Sequence, residues 1–183
     1  MELVGAPADP QSLLQRAMEF SGRYAFPEGI PAMVRGMRPR ELEALSYTYH
    51  LPEVSLACIT HFARHRIQSP LFRPVFEALL RGKYILPDTV KAITEAETIY
   101  RAAFENNAKS ARSLLRSGMP PAMLSYLTMS GNTQGLFLTM NARELLHFVN
   151  LRSCSRAQWE IRDMCREMLR LTTLTYPALF ALY

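Results

Sequence analysis

The run Leu136-Phe137-Leu138-Thr139-Met140-Asn141-Ala142-Arg143-Glu144-Leu145-Leu146-His147-Phe148-Val149-Asn150-Leu151-Arg152 changes its period in the middle. Residues 136–140 form a short apolar segment of strand length. Asn141 then has the chemistry of a helix N-cap, and a helix is expected from 142 to about 151. On that helix Arg143, His147 and Asn150 fall at i, i+4 and i+7 and share one face. Leu145, Leu146 and Phe148 lie around the other side. A polar stripe on a helix is usually its wet face. This one holds Arg, His and Asn rather than Glu and Lys, which points toward a ligand. A strand feeding a capped helix also offers free backbone N–H groups to an anion.

Outward from this unit, helix signals dominate. Asp9-Pro10 reads as an N-cap with proline at the first helical position, followed by an apolar face at Leu13, Leu14, Ala17 and Met18. Residues 21–31 read as a loop and 32–34 as a short strand. Pro39 is expected to open a helix through Leu42 and Leu45 to about Tyr49. Pro52 is expected to open another through Val54, Cys58 and Phe62 to Arg64-His65-Arg66, with Pro70 and Pro74 breaking the chain beyond it. A long helix is expected over 89–116, capped by Asp88 and stopped by Gly118. A shorter one follows Pro120-Pro121, and a last long one spans 156–171. Helices with a minority of strand give an α+β fold, read as a single domain over 1–183.

The 183 residues are 49% hydrophobic and 20% charged, which excludes disorder and linker-dominated architectures. Cys58, Cys154 and Cys165 are odd in number and lack C-x-x-C spacing, so neither a disulfide framework nor a metal site is expected. A reduced, cytoplasmic setting fits. Residues 1–10 show no basic region leading into an apolar run, so no signal peptide is expected. The stretch 117–142 is uncharged but interrupted by Gly, Pro and Asn, which argues for buried protein or a subunit interface rather than a membrane span. Net charge is +5, and of 21 basic residues only Lys83, Lys91 and Lys109 are lysines. Such arginine enrichment reflects either a compositional habit or an anionic ligand matched by planar donor forks. No Lys/Arg block or aromatic-basic repeat occurs, so nucleic acid is not expected as a partner.

Two further clusters stand out. Arg64-His65-Arg66 is either a solvated helix end or a set of groups directed at different parts of one ligand. In Gln158-Trp159-Glu160-Ile161-Arg162, the simpler expectation is an amphipathic helix with Trp159 packed and Glu160 solvated.

Taken in order, Arg64-His65-Arg66, Asn-Ala-Arg at 141–143, Asn-Leu-Arg at 150–152 and Ala-Gln-Trp-Glu-Ile-Arg at 157–162 resemble the flavin-dependent thymidylate synthase (ThyX) family over 62–180. The resemblance implies a helix-rich subunit with a small sheet, assembling as a homotetramer with FAD at subunit interfaces. It implies a small-molecule reaction in which NADPH reduces FAD and methylenetetrahydrofolate supplies carbon to C5 of dUMP. By motif position, Arg64, His65, Arg66, Ile67, Asn141, Arg143 and His147 would contact FAD. Arg64, His65 and Arg152 would serve the chemistry, and Arg73 and Arg152 would meet the substrate. The family needs no enzyme thiol, because the cofactor carries the reactivity and the protein positions and polarises.

The chain departs from the family on the nucleotide side. The family's Arg-His-Arg is followed after seven residues by Ser, where this chain has Pro74. The next basic position is Phe76, the preceding acidic one is Phe72, and a basic residue expected near Ser125 is absent. Arg73 is the one cation left in this loop, and the substrate is expected to present an apolar group to Phe72 and Phe76. The alternative reading is therefore an FAD-dependent oxidoreductase of the same fold acting on a less phosphate-dependent substrate.

Overall fold

The structure is a computed structural model that describes residues 1–182. Its elements in chain order are β1 (Glu2–Gly5), α1 (Pro10–Ser21), α2 (Ile30–Arg35), a 3-10 turn at Arg40–Ala44, β2 (Ser46–Ser55), α3 (Leu56–Phe62), β3 (Gln68–Phe72) and α4 (Val75–Arg81). The second half adds α5 (Asp88–Lys91), α6 (Thr94–Arg116), a 3-10 stretch at Pro121–Leu127, β4 (Thr133–Asn141), α7 (Ala142–Arg152), α8 (Trp159–Thr173) and α9 (Pro177–Phe180). The strands form one sheet in the order β1-β2-β4-β3. The fold is helix-rich α+β, as expected. Among the described residues no helix is long and apolar enough to cross a membrane.

The chain divides into two compact units. The first comprises Met1–Leu51, Arg64–Pro70 and the described part of Phe137–Tyr183. Here α1 begins where Asp9 Oδ1 accepts the Ser12 amide at 2.9 Å, and it ends at Gly22, whose φ of 63° suits a left-handed helix cap. β1 pairs antiparallel with β2 through Leu3 and Tyr49, with a bulge between Leu3 and Gly5. Tyr47, Tyr49 and Leu51 on one face of β2 are fully buried with Leu138 of β4, Leu145 and Phe148 of α7, and Ile161, Cys165 and Met168 of α8. Each Leu, Ile, Phe or Met among them contributes about 1.5–3 kcal/mol of burial free energy. The Tyr49 hydroxyl reaches Thr172 Oγ1, so the polar end of this buried ring is satisfied. The start of α7 is tied to the 40–45 segment by a backbone bond from the Ala142 amide to the Leu45 carbonyl at 2.7 Å and by an Arg143–Glu43 ion pair.

The second unit comprises Pro52–Ala63 and Leu71–Leu136. Its centre is Leu79 of α4, Ala111 of α6 and Leu124, with Phe76, Leu80, Leu114, Leu115, Met119 and Leu127 packed around them. Gly131 is required by close approach: a Cβ there would lie 2.4 Å from the Tyr100 hydroxyl and 2.8 Å from Phe104 Cζ. In the uncharged 117–142 stretch Leu124 and Leu136 are buried, whereas Met123, Tyr126 and Phe137 are exposed.

Several local expectations are corrected. Residues 32–34 are helical, within α2, with Pro31 in its first turn. The helix expected from Pro39 to Tyr49 is a 3-10 turn that gives way to β2 at Ser46. Pro52 lies inside β2, and α3 starts at Leu56 and ends at Phe62, leaving Arg64–Ile67 in the loop beyond. Pro70 does not break the chain but sits in β3, an edge strand, where a missing N–H is tolerated. The break at Ala92-Ile93 divides the long 89–116 helix into α5 and α6, and α4 was not anticipated. At the start of α8 the expected exposures are reversed: Glu160 is 5% exposed and Trp159 39%.

Candidate functional site

A cavity of about 530 Å³ opens within the first unit. Three segments distant in sequence wall it: the end of α2 and the turn after it (Val34, Gly36, Arg38, Pro39, Leu42), the loop Arg64–Ile67, and one face of α7 running to Arg152. That size is typical of small-molecule and cofactor sites.

The α7 wall follows directly from local sequence. Asn141 Oδ1 accepts the Glu144 amide at 2.9 Å and starts the helix. From there Arg143, His147 and Asn150 all line the cavity. Asn141 itself is spent as a cap and is not part of the lining. Arg64, His65, Arg66 and Ile67 line the cavity, as does Arg152 at the far end of α7. The structure thus brings together every expected cofactor-contacting residue except Asn141. Arg73 belongs to the second unit, where its guanidinium is 70% exposed and lies 3.4 Å from Glu77. Phe76 is half-buried and packs against that unit's core.

Sequence reasoning missed Arg38 and Glu144. Arg38 lines the cavity with φ = 57°, a left-handed conformation that costs a non-glycine residue about 1–2 kcal/mol. It precedes Pro39, which narrows its backbone choices further. Gly36 beside it is fixed by crowding, since a Cβ would lie 2.6 Å from the Tyr24 hydroxyl. An Arg-Pro step flanked by glycine was the available signal. Glu144 is buried, and His65 Nδ1 lies 2.9 Å from its Oε1. On the other side of the ring, Arg152 Nε donates to His65 Nε2 at 3.2 Å. An Nε2 that accepts is unprotonated, so His65 is neutral with its hydrogen on Nδ1. Burial accordingly holds the His65 pKa below the usual histidine value. The Glu144 carboxylate works against that shift, and Arg152 and His147 work with it.

Electrostatically the lining is lopsided. It contains the guanidinium groups of Arg38, Arg64, Arg66, Arg143 and Arg152 against the single carboxylate of Glu144. Arg143 is paired with Glu43. Among the described residues Arg38, Arg64 and Arg66 make no ion pair. Planar donor forks converging on a concave site suit phosphate or carboxylate oxygens. Among the described residues no cysteine lines the cavity, and elsewhere burial pushes the Cys165 thiol up to about 12.

The thymidylate synthase complementing protein family matches residues 14–178 of this chain. A flavin-dependent thymidylate synthase of Geobacter sulfurreducens is 34% identical over 142 residues, covering 76% of this chain and 61% of the relative. One of Saccharolobus solfataricus is 35% identical over 147 residues, covering 76% and 54%. The chain thus spans 54–61% of the length of these relatives. Among solved structures, thymidylate synthase X of Helicobacter pylori, crystallised with FAD and dUMP, superposes with a TM-score of 0.76 at 20% identity, covering 98% of this chain and 97% of that one. At that identity the likeness is one of fold. The matched span, the relatives above 30% identity and the shared architecture together place the chain in the thymidylate synthase complementing protein family.

Proposed function

We infer that this chain is an FAD-dependent, thymidylate synthase-like enzyme that uses the cationic cavity of its first unit to hold the cofactor. The observation that carries this reading is the convergence of Arg38, Arg64, Arg66, Arg143 and Arg152 on one cavity of cofactor size. The donor set fits FAD: guanidinium forks match a pyrophosphate, and His147 and Asn150 add hydrogen-bonding groups along the same helix face. When bound, FAD would supply the redox chemistry. Arg64 and Arg66, free of ion pairs among the described residues, would hold anionic oxygens. Arg152, tethered by His65, would present its remaining N–H groups to negative charge developing on a ring or a carbonyl oxygen. The reaction is reductive methylation of dUMP or a related uridine nucleotide, with methylenetetrahydrofolate as carbon donor and NADPH as reductant, in a cytoplasmic homotetramer.

A second reading has its own observation. In the loop 72–76, Arg73 leans on Glu77, Pro74 has no N–H, and Phe76 faces the core of its unit. That loop offers little to a dianionic phosphate, which favours an FAD-dependent oxidoreductase with a less phosphate-dependent substrate. Purified protein that is yellow and releases FAD on denaturation supports both readings. Protein that stays colourless after incubation with FAD sinks both. Rescue of a thymidine-requiring strain selects the synthase.

A further inference from the structure

Among the described residues lining the cavity, Glu144 is the only carboxylate, and its presence needs a reason. A buried negative charge works against an anionic ligand, and burying it is itself unfavourable unless it is hydrogen-bonded. As the third residue of α7 behind the Asn141 cap, a glutamate ordinarily reaches back to the cap's own amide or stays in water. Here it is buried and directed at His65 instead.

The chain of contacts has a direction. Glu144, a pure acceptor when ionised, takes the hydrogen of His65 Nδ1. That leaves a lone pair on His65 Nε2, and Arg152 Nε donates to it. The opposite tautomer would set an Nε2–H against the Arg152 Nε–H, two donors facing each other. Two rings also flank the imidazole: Phe148 packs edge-on at 5.0 Å between centroids and His147 at 6.1 Å. With its Nε committed to His65, Arg152 has its terminal N–H groups left for a ligand.

We propose that Glu144 is a positioning residue for the cavity: it holds His65 as the Nδ1–H tautomer, so that His65 accepts from Arg152 and sets the direction in which the Arg152 guanidinium meets the ligand. The relay stands on the protein alone. Only the identity of the ligand rests on the flavin reading, so the test has two arms that fail separately.

The first arm is NMR of histidine ring nitrogens in flavin-free, 15N-histidine-labelled protein, with His65 assigned from the His65→Asn spectrum. The wild type is expected to show protonated Nδ1 and unprotonated Nε2. Glu144→Gln keeps an acceptor and retains that pattern, whereas Glu144→Leu loses it. A protonated Nε2 in the wild type, a flipped ring in Glu144→Gln, or an unchanged tautomer in folded Glu144→Leu overturns the proposal. If Glu144→Leu does not fold, the wild type and Glu144→Gln still decide. The second arm is FAD binding by fluorescence quenching. Glu144→Gln, relieved of a negative charge, binds at least as tightly as wild type. Glu144→Leu binds about tenfold more weakly, the low end of what loss of an outer partner costs at metal sites. The double variant with Arg152→Ala binds no more weakly than Arg152→Ala alone, because the two act in series. Additive losses, or equal weakening by Gln and Leu, overturn the relay. Wild type that does not bind FAD removes the flavin reading and leaves the first arm to decide.

Discussion

Arg38 joins a left-handed backbone to a side chain that lines the cavity, and two substitutions separate the strain from any contribution to ligand binding. Its φ of 57° costs an L-residue about 1–2 kcal/mol. Arg38→Ala removes the guanidinium and keeps the strain. Arg38→Gly removes both, at the expense of about 0.5–1 kcal/mol in unfolded-chain entropy. The glycine variant should therefore be the more stable of the two by about 0.5–1 kcal/mol. With a urea m-value of about 2 kcal/mol/M, its midpoint lies about 0.25–0.5 M above that of the alanine variant. Both should lose FAD affinity alike. Because Arg38 is exposed, the lower end of the 1.5–3 kcal/mol range for charge-assisted contacts applies, or about tenfold. Paired urea titrations and flavin-quenching titrations read both quantities. Equal midpoints would show that the backbone is not strained there, and unchanged affinity in both variants would remove Arg38 from the site.

Arg143→Ala should reduce FAD retention by roughly tenfold or more, measured as flavin remaining after gel filtration, because it deletes one cation from the lining and frees Glu43. On the second reading, calorimetric titration of the FAD-loaded protein with dUMP should show binding about a hundredfold or more weaker than a loop with two further charge-assisted contacts would give, since residues 72–76 offer only Arg73. Micromolar affinity that Arg73→Ala abolishes would select the synthase reading and refute the second. Acid should destabilise the protein through His65. Its folded pKa lies below the unfolded value of about 6.5, so the unfolded chain takes up a proton first. This stability is fully present above about pH 6.5 and declines as pH falls toward the folded pKa. Tm measured from pH 7.5 to 5.5 should fall less steeply in His65→Asn, and parallel profiles would contradict the assignment.

What could be read in the sequence was local. The cap at Asn141 and the i, i+4, i+7 spacing of Arg143, His147 and Asn150 are consequences of helix geometry, and all three side chains line the cavity. Asp9-Pro10 opened α1 for the same reason. The misread segments depend on partners far away. Tyr47, Tyr49 and Leu51 alternate as a strand should, but Leu42 and Leu45 just before them share helical spacing, and only pairing with β1 decides the matter. Pro70 looked like a break because nothing local shows that its strand lies at the edge of a sheet. Glu144 carries no local sign of its partner either, since His65 is 79 residues away.

That separation has a kinetic consequence. The cavity's side-chain links close loops of 79 residues between His65 and Glu144 and of 100 between Glu43 and Arg143. Loop closure on that scale is entropically unfavourable until the core of the unit has formed, so these walls meet late in folding. They also bring several guanidinium groups together before any ligand can offset their repulsion. Refolding should therefore end in a step that salt screening or a multivalent anion speeds up, while formation of the helical core in the second unit, built from α4 and α6, proceeds unaffected.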